Sequence, residues 1–174
     1  MFKLSMPKFS LLKPQMILDN DGRTFIVRLE DMKLKPYKDV AGYWTIGIGC
    51  RISTLQLSQY RNGITAKQAW DMFDERAKVV YSRINKAIKV NINQSQFNAV
   101  FAFVWNTGQL ENTTLLKYIN QSNFILAAKE FERWDHAKNP ITGQIIEVEG
   151  LKRRCAKEEA VFRGTPVREV ITWA

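Results

Sequence analysis

The sequence predicts an α+β domain that is mainly helical, and three observations carry that expectation. The apolar rhythm changes from helical spacing to strand-like runs around residues 30–49 and returns to helical spacing afterwards. Two of the later runs each open on a capping pair, Thr65 with Gln68 and Asn93 with Gln96. A chain of 174 residues with 45% hydrophobic content suits one compact unit, large enough to bury roughly two thirds of its unfolded surface.

Taken in order, residues 1–18 carry Lys3, Lys8 and Lys13 with Pro7 and Pro14. These break any apolar run before it reaches the length of a signal-peptide core or a membrane span. The segment reads as a flexible basic arm, and no other stretch approaches membrane length. Met16, Ile17, Ile26, Val27 and Leu29 fall at loosely helical intervals, so a short helix is expected to end at Glu30. Leu34, Tyr37, Val40, Tyr43, Trp44, Ile46 and Ile48 are strand formers separated by Pro36, Gly42, Gly47 and Gly49. That pattern predicts a small, bent antiparallel sheet, and a helix end facing it makes a cleft wall. After Thr65, the residues Ala69, Trp70, Phe73, Ala77, Val80, Tyr81, Ile84, Ala87 and Ile88 recur at three-to-four spacing and predict a long helix over 66–89. Asn93 opens a second, strongly apolar helix that ends near Gly108. Further helices are expected at 113–120, 123–137 and 150–163. Trp70, Phe97, Phe101 and Phe103 are assigned to the core.

The chemistry sits at the change of rhythm. Glu30, Asp39 and Thr45 are separated by eight and five residues around the turn-rich stretch. Breaking a glycosidic bond takes one carboxylic acid to protonate the leaving oxygen and a second carboxylate acting on the opposite side of the sugar. Glu30 suits the acid and Asp39 its partner. A hydroxyl beside the partner, Thr45, can hydrogen-bond and aim an attacking water, and positioning of this kind lowers a barrier.

These residues resemble the phage-type lysozymes or endolysins, a family of muramidases. Tyr37-Lys38-Asp39, Gly42 and Trp44-Thr45-Ile46-Gly47-Ile48-Gly49 resemble that family's active-site hairpin, with Glu30 at the matching distance upstream. Gln96-Phe97-Asn98-Ala99-Val100 and Phe103-Val104-Trp105-Asn106-Thr107-Gly108, followed by Thr113-Thr114-Leu115-Leu116, are similar to its central helix and following turn. The segment from Gly150 to Phe162 resembles its arginine-rich helix, so the resemblance covers residues 15–164. It implies a lysozyme-like fold in which a small lobe (25–64) and a larger helical lobe (90–174) are joined by the long helix, all within a single domain over 19–174. It further implies hydrolysis of the β-1,4 bond between N-acetylmuramic acid and N-acetylglucosamine in peptidoglycan, without metal or cofactor, by a monomer. Catalytic roles carry over to Glu30, Asp39 and Thr45. Substrate contacts carry over to Asn106, Thr114 and Arg154, the last also reaching the catalytic glutamate; Arg153 is the alternative in that register. An adjacent cation lowers a carboxyl pKa while burial raises it, and the sequence leaves that balance open. The chain departs from the family at Cys50, where a histidine is common, and in the longer stretch 139–149, read as an extra hairpin over the cleft.

The formal charge of +9 suits an anionic polymer, either the bacterial wall or nucleic acid. Basic residues are scattered and no nucleic-acid-binding motif is recognisable, which favours the wall. His136 is the single histidine and reads as a surface residue, which argues against a histidine triad or a multi-histidine metal site. Cys50 and Cys155 do not form a disulfide framework and are expected to be thiols. A lytic transglycosylase is the nearest rival class, using one acid and no water; Asp39 and Thr45 argue for hydrolysis. The expected setting is synthesis in the host cytoplasm and action on the wall after release, through a separate pore-forming protein, to the periplasm.

Overall fold

The computed structural model describes residues 14–39, 42–138 and 143–173. Helix α1 (Asn20–Glu30) leads into an antiparallel sheet of β1 (Lys33–Lys38), β2 (Trp44–Gly47) and β3 (Cys50–Arg51), in the order β1-β2-β3. Asp19 starts α1 by accepting the Gly22 N–H at 2.8 Å, and the Asn98 side-chain amide donates to the same oxygen at 2.8 Å. One carboxylate therefore both caps the helix and fixes it against its neighbour. The Pro36 ring is tolerated because β1 is an edge strand. A register shift between Lys33 and Tyr37 supplies the expected bend.

The long helix, α2 (Ala66–Ala87), begins at Thr65, which completes a capping box with Gln68. It packs on β2 at one stage and on α3 (Gln94–Thr107) at another. Helix α3 is the centre of the protein: every residue from Gln96 to Val104 is buried, and it packs against α1, α2 and α6 (Glu149–Phe162). Gly108 stops it at φ 69°, the left-handed geometry that glycine adopts without a Cβ penalty. Phe97, Phe101 and Phe103 lie in the core as expected, whereas Trp70 is half-buried at its edge with the Arg23 guanidinium 4.1 Å over its ring.

Three expectations need correction. The helix expected over 123–137 stops early: α4 (Thr114–Asn120) is followed by a short α5 (Phe124–Lys129) and then a 3₁₀ turn at Phe131–Trp134. The tighter turn brings residues three apart onto one side. Phe131 and Trp134 thus both meet Phe103 edge-on, with ring centroids 5.8 and 4.9 Å away. The chain then forms a hairpin from β4 (His136–Lys138) and β5 (Ile145–Glu147). It starts ahead of the expected 139–149, and none of its described residues lines the cleft. The third correction concerns the arm. Residues 1–13 lie outside the described residues, but Met16 exchanges two 2.8 Å hydrogen bonds with the Asn85 side chain and Leu18 is buried, so 16–18 belong to the folded body. A short α7 (Val167–Val170), which the sequence reading did not include, buries Val167 and Val170 and packs against α1.

Candidate active site

Glu30 is the last residue of α1, and Asp31 beyond it turns to φ 59°. The helix therefore delivers the Glu30 carboxyl at the point where the chain leaves for the sheet. Its Oε2 faces Gly49 in the β2–β3 turn, where an added Cβ would stand 2.7 Å from that oxygen and 3.0 Å from Trp105 Nε1. Gly49 also has φ +64°, so both backbone and space require glycine there. Its other oxygen, Oε1, lies 2.7 Å from Arg154 Nη1, with the Glu30 side chain 17% exposed.

Arg154 comes from α6 and is buried, with Nε donating to Glu158 at 2.8 Å and Nη2 donating to Ala102 O at 3.2 Å. Burial works against its charge, yet Glu30 and Glu158 together outweigh that and raise its pKa. Glu158 is 1% exposed. Burial, opposed in part by Arg154, pushes its carboxyl up to about 7. Arg153 points elsewhere, its side chain 53% exposed and 3.7 Å from Glu149.

The facing wall comes from the sheet. Asp39 Oδ1 accepts the Tyr43 N–H at 2.8 Å, and its Oδ2 lies 3.6 Å from Arg51 Nε. Thr45, 2% exposed, donates its hydroxyl hydrogen to the Tyr43 carbonyl at 3.2 Å. One residue's backbone thus holds both side chains, through its N–H and its C=O. Asp39 is the turn-former that its residue type suggests and also a cleft carboxylate. Glu30, Tyr37, Asp39, Thr45, Gly49 and Arg51 share a cleft of about 660 Å³ with Arg76, Val79 and Val80 of α2 and the α3 terminus from Trp105 to Gly108. Tyr37 stays a neutral phenol, because burial and then the charges of Glu30 and Asp39 raise its pKa.

Of the expected substrate contacts, Asn106 lines this cleft. Thr114 does not. The cleft wall ends at Gly108, whose carbonyl is held by Arg83 at 3.1 Å, and Thr114 is an exposed residue opening α4 beyond it. Arg154 likewise does not line the cleft; it stands behind Glu30 as its ion-pair partner. Cys50, at the family's histidine position, is buried and its thiol points to Ile48 O at 3.8 Å. Burial, opposed by Arg76, raises its pKa. Cys155 is pushed up to about 12 by burial, and both cysteines are free. The sequence reading missed Arg51, Arg76, Trp105 and Glu158. Only the last left a trace, the four-residue spacing from Arg154 that places two side chains on one helix face.

The model of the family described as phage lysozyme matches residues 27–158. The chain belongs to the phage lysozyme family. It is 37% identical over 156 residues to the endolysin of Bacillus phage PZA, with 87% of this chain covered, and spans 57% of that relative's length. It is 34% identical over 149 residues to the endolysin of Acyrthosiphon pisum secondary endosymbiont phage 1, covering 84% of this chain and 98% of the relative. The solved endolysin from Escherichia coli O157:H7 phage FAHEc1 superposes with a TM-score of 0.75 at 25% identity, over 88% of this chain and 97% of its own. The family's fold, a small sheet beside a larger helical body with a cleft between them, is the one described above. Among the described residues, no helix is long and apolar enough to cross a membrane.

Proposed function

We propose that the protein is an endolysin that hydrolyses the β-1,4 bond between N-acetylmuramic acid and N-acetylglucosamine of bacterial peptidoglycan, with inversion at the anomeric carbon. Glu30 protonates the leaving glycosidic oxygen. As that bond breaks, a water adds its oxygen to the anomeric carbon from the opposite face, and Asp39 takes the water's proton. Thr45 aims the water: its own hydrogen is engaged by Tyr43 O, so its oxygen is left to accept one from the water. The observation that carries this reading is the common anchoring of Asp39 and Thr45 on the Tyr43 backbone, in the same cleft as the Glu30 carboxyl. Arg51 and Arg76 set two guanidinium groups in the cleft wall beside its two carboxyl groups, which suits a glycan bearing peptide carboxylates. Asn106 is placed to contact the sugar, while Arg154 serves Glu30 from behind. The protein acts as a monomer, is made in the host cytoplasm, and reaches the wall after release by a separate pore.

Mass analysis of digested peptidoglycan tests the reading, because hydrolysis leaves reducing muramic ends whereas a transglycosylase leaves anhydro ends. Anhydro ends would remove the water-handling roles of Asp39 and Thr45.

A further inference from the structure

A general acid must hold a proton until the leaving oxygen takes it, and a lone arginine 2.7 Å away opposes that by favouring the carboxylate. The arginine here is not lone. Glu158 holds Arg154 from the opposite side at 2.8 Å, and the whole arrangement is locked in place by the third contact, to Ala102 O of α3. One cation is thus shared between two carboxyl groups, and with both ionised the cluster would carry an excess negative charge, with Arg154 and Glu158 buried behind the cleft.

We propose that Glu158 is a positioning residue for the reaction: it shares Arg154 with Glu30, so that Arg154 orients the acid without stripping it of the proton it must deliver. This rests on the reading of Glu30 as the acid. Charged groups beside the cluster are Asp135, which acts on Cys155 together with Glu158, Arg76, which acts on Cys50, and Asp39 and Asp31, which act on Tyr37. Tyr37 of β1 and Cys50 of β3, which feel Glu30, and Cys155 of α6, which feels Glu158, all have pKa values raised by burial and remain neutral. Trp105 of α3 contributes an uncharged N–H near the Gly49 turn.

Glu158→Gln tests this, since the amide keeps an oxygen for Arg154 Nε and loses only the charge. With Arg154 left to Glu30 alone, the alkaline limb of the pH–rate profile on a peptidoglycan suspension should move toward acid by about one pH unit. A purely structural role would lower the rate at every pH and leave the limb where it was, and that result overturns the proposal. If Glu158→Gln does not fold, the reciprocal measurement is available in Glu30→Gln. There Arg154 acts on Glu158 alone, so the Glu158 carboxyl carbon, followed by NMR, should titrate at lower pH than in the wild type; an unmoved titration overturns the proposal equally. Activity separates the two levels. A folded Glu30→Gln protein that still lyses walls refutes the acid assignment, whereas an inactive one with an unmoved limb in Glu158→Gln refutes only the sharing of Arg154.

Discussion

Residues of one chemical type have been given opposite tasks by their surroundings. Adjacent Arg153 and Arg154 differ in side-chain exposure, 53% against 10%, and only the second touches Glu30. The same holds for Glu158, buried on Arg154, and Glu159, which pairs with Arg163 at 2.6 Å. Arg154→Ala should therefore abolish most lysis and also cost about 3–5 kcal/mol of stability, because it leaves buried carboxyls without their cation. That exceeds the roughly 1 kcal/mol that a partly exposed pair would justify. Arg153→Ala should change both by little, and denaturant melts with turbidity assays on the two variants decide between them. Glu30→Gln should keep the fold and lose ~100-fold or more of the lytic rate. Gly49→Ala should lose activity and about 1–3 kcal/mol together, since it forces a side chain into the left-handed region and against the acid. Glu158 also links stability to pH. Its carboxyl titrates in the folded protein at about 7, above its ordinary 4.5. The folded state thus binds the proton more tightly, and the stability this contributes is complete below 4.5 and is lost as pH rises through 7. Thermal melts across that window should show the wild type losing stability relative to Glu158→Gln as pH rises; a constant difference would contradict the linkage.

Elements whose ends are coded locally were the ones the sequence reading placed well. Helices α2 and α3 each carry a capping box and α3 a terminal glycine, signals that act within one turn and need no partner. Thr65→Ala should accordingly destabilise the protein by about 1 kcal/mol with lysis per folded molecule unchanged, as read from a denaturation midpoint. The stretch after α5 was misread because its decisive contact is distant in sequence: Phe131 and Trp134 settle on Phe103, and a 3₁₀ turn sets residues three apart directly in line. Helix α7 escaped notice for a related reason. Four residues carry too little periodicity to register, and its two valines matter only because α1 lies beneath them.

On the scale of the whole molecule, the charge of +9 suits the anionic wall that the proposed function takes as substrate. Wall clearing should slow as salt rises from about 0.01 M to 0.15 M, where the screening length shortens from roughly 30 to 8 Å, while the rate on a short uncharged glycan should hardly change. A salt-independent clearing rate would show that long-range attraction plays no part. The proposed catalytic set was legible because Glu30, Asp39 and Thr45 lie at one helix end, one hairpin turn and one strand, where turn chemistry and residue type act over short distances. The chain by itself thus determined the helix-to-sheet switch, the capped helices and the three cleft residues. Tertiary structure alone decided which arginine is buried, that Thr114 falls outside the cleft, that Arg51 and Arg76 line it, and that Glu30 and Glu158 both meet Arg154. The buried arginine and its two carboxyl partners depend on α6 packing on α3, whereas Arg51 and Arg76 share the cleft because α2 packs on β2 beside β3. Exposure and electrostatic environment arise from that packing, and their one local trace is the four-residue spacing of Arg154 and Glu158.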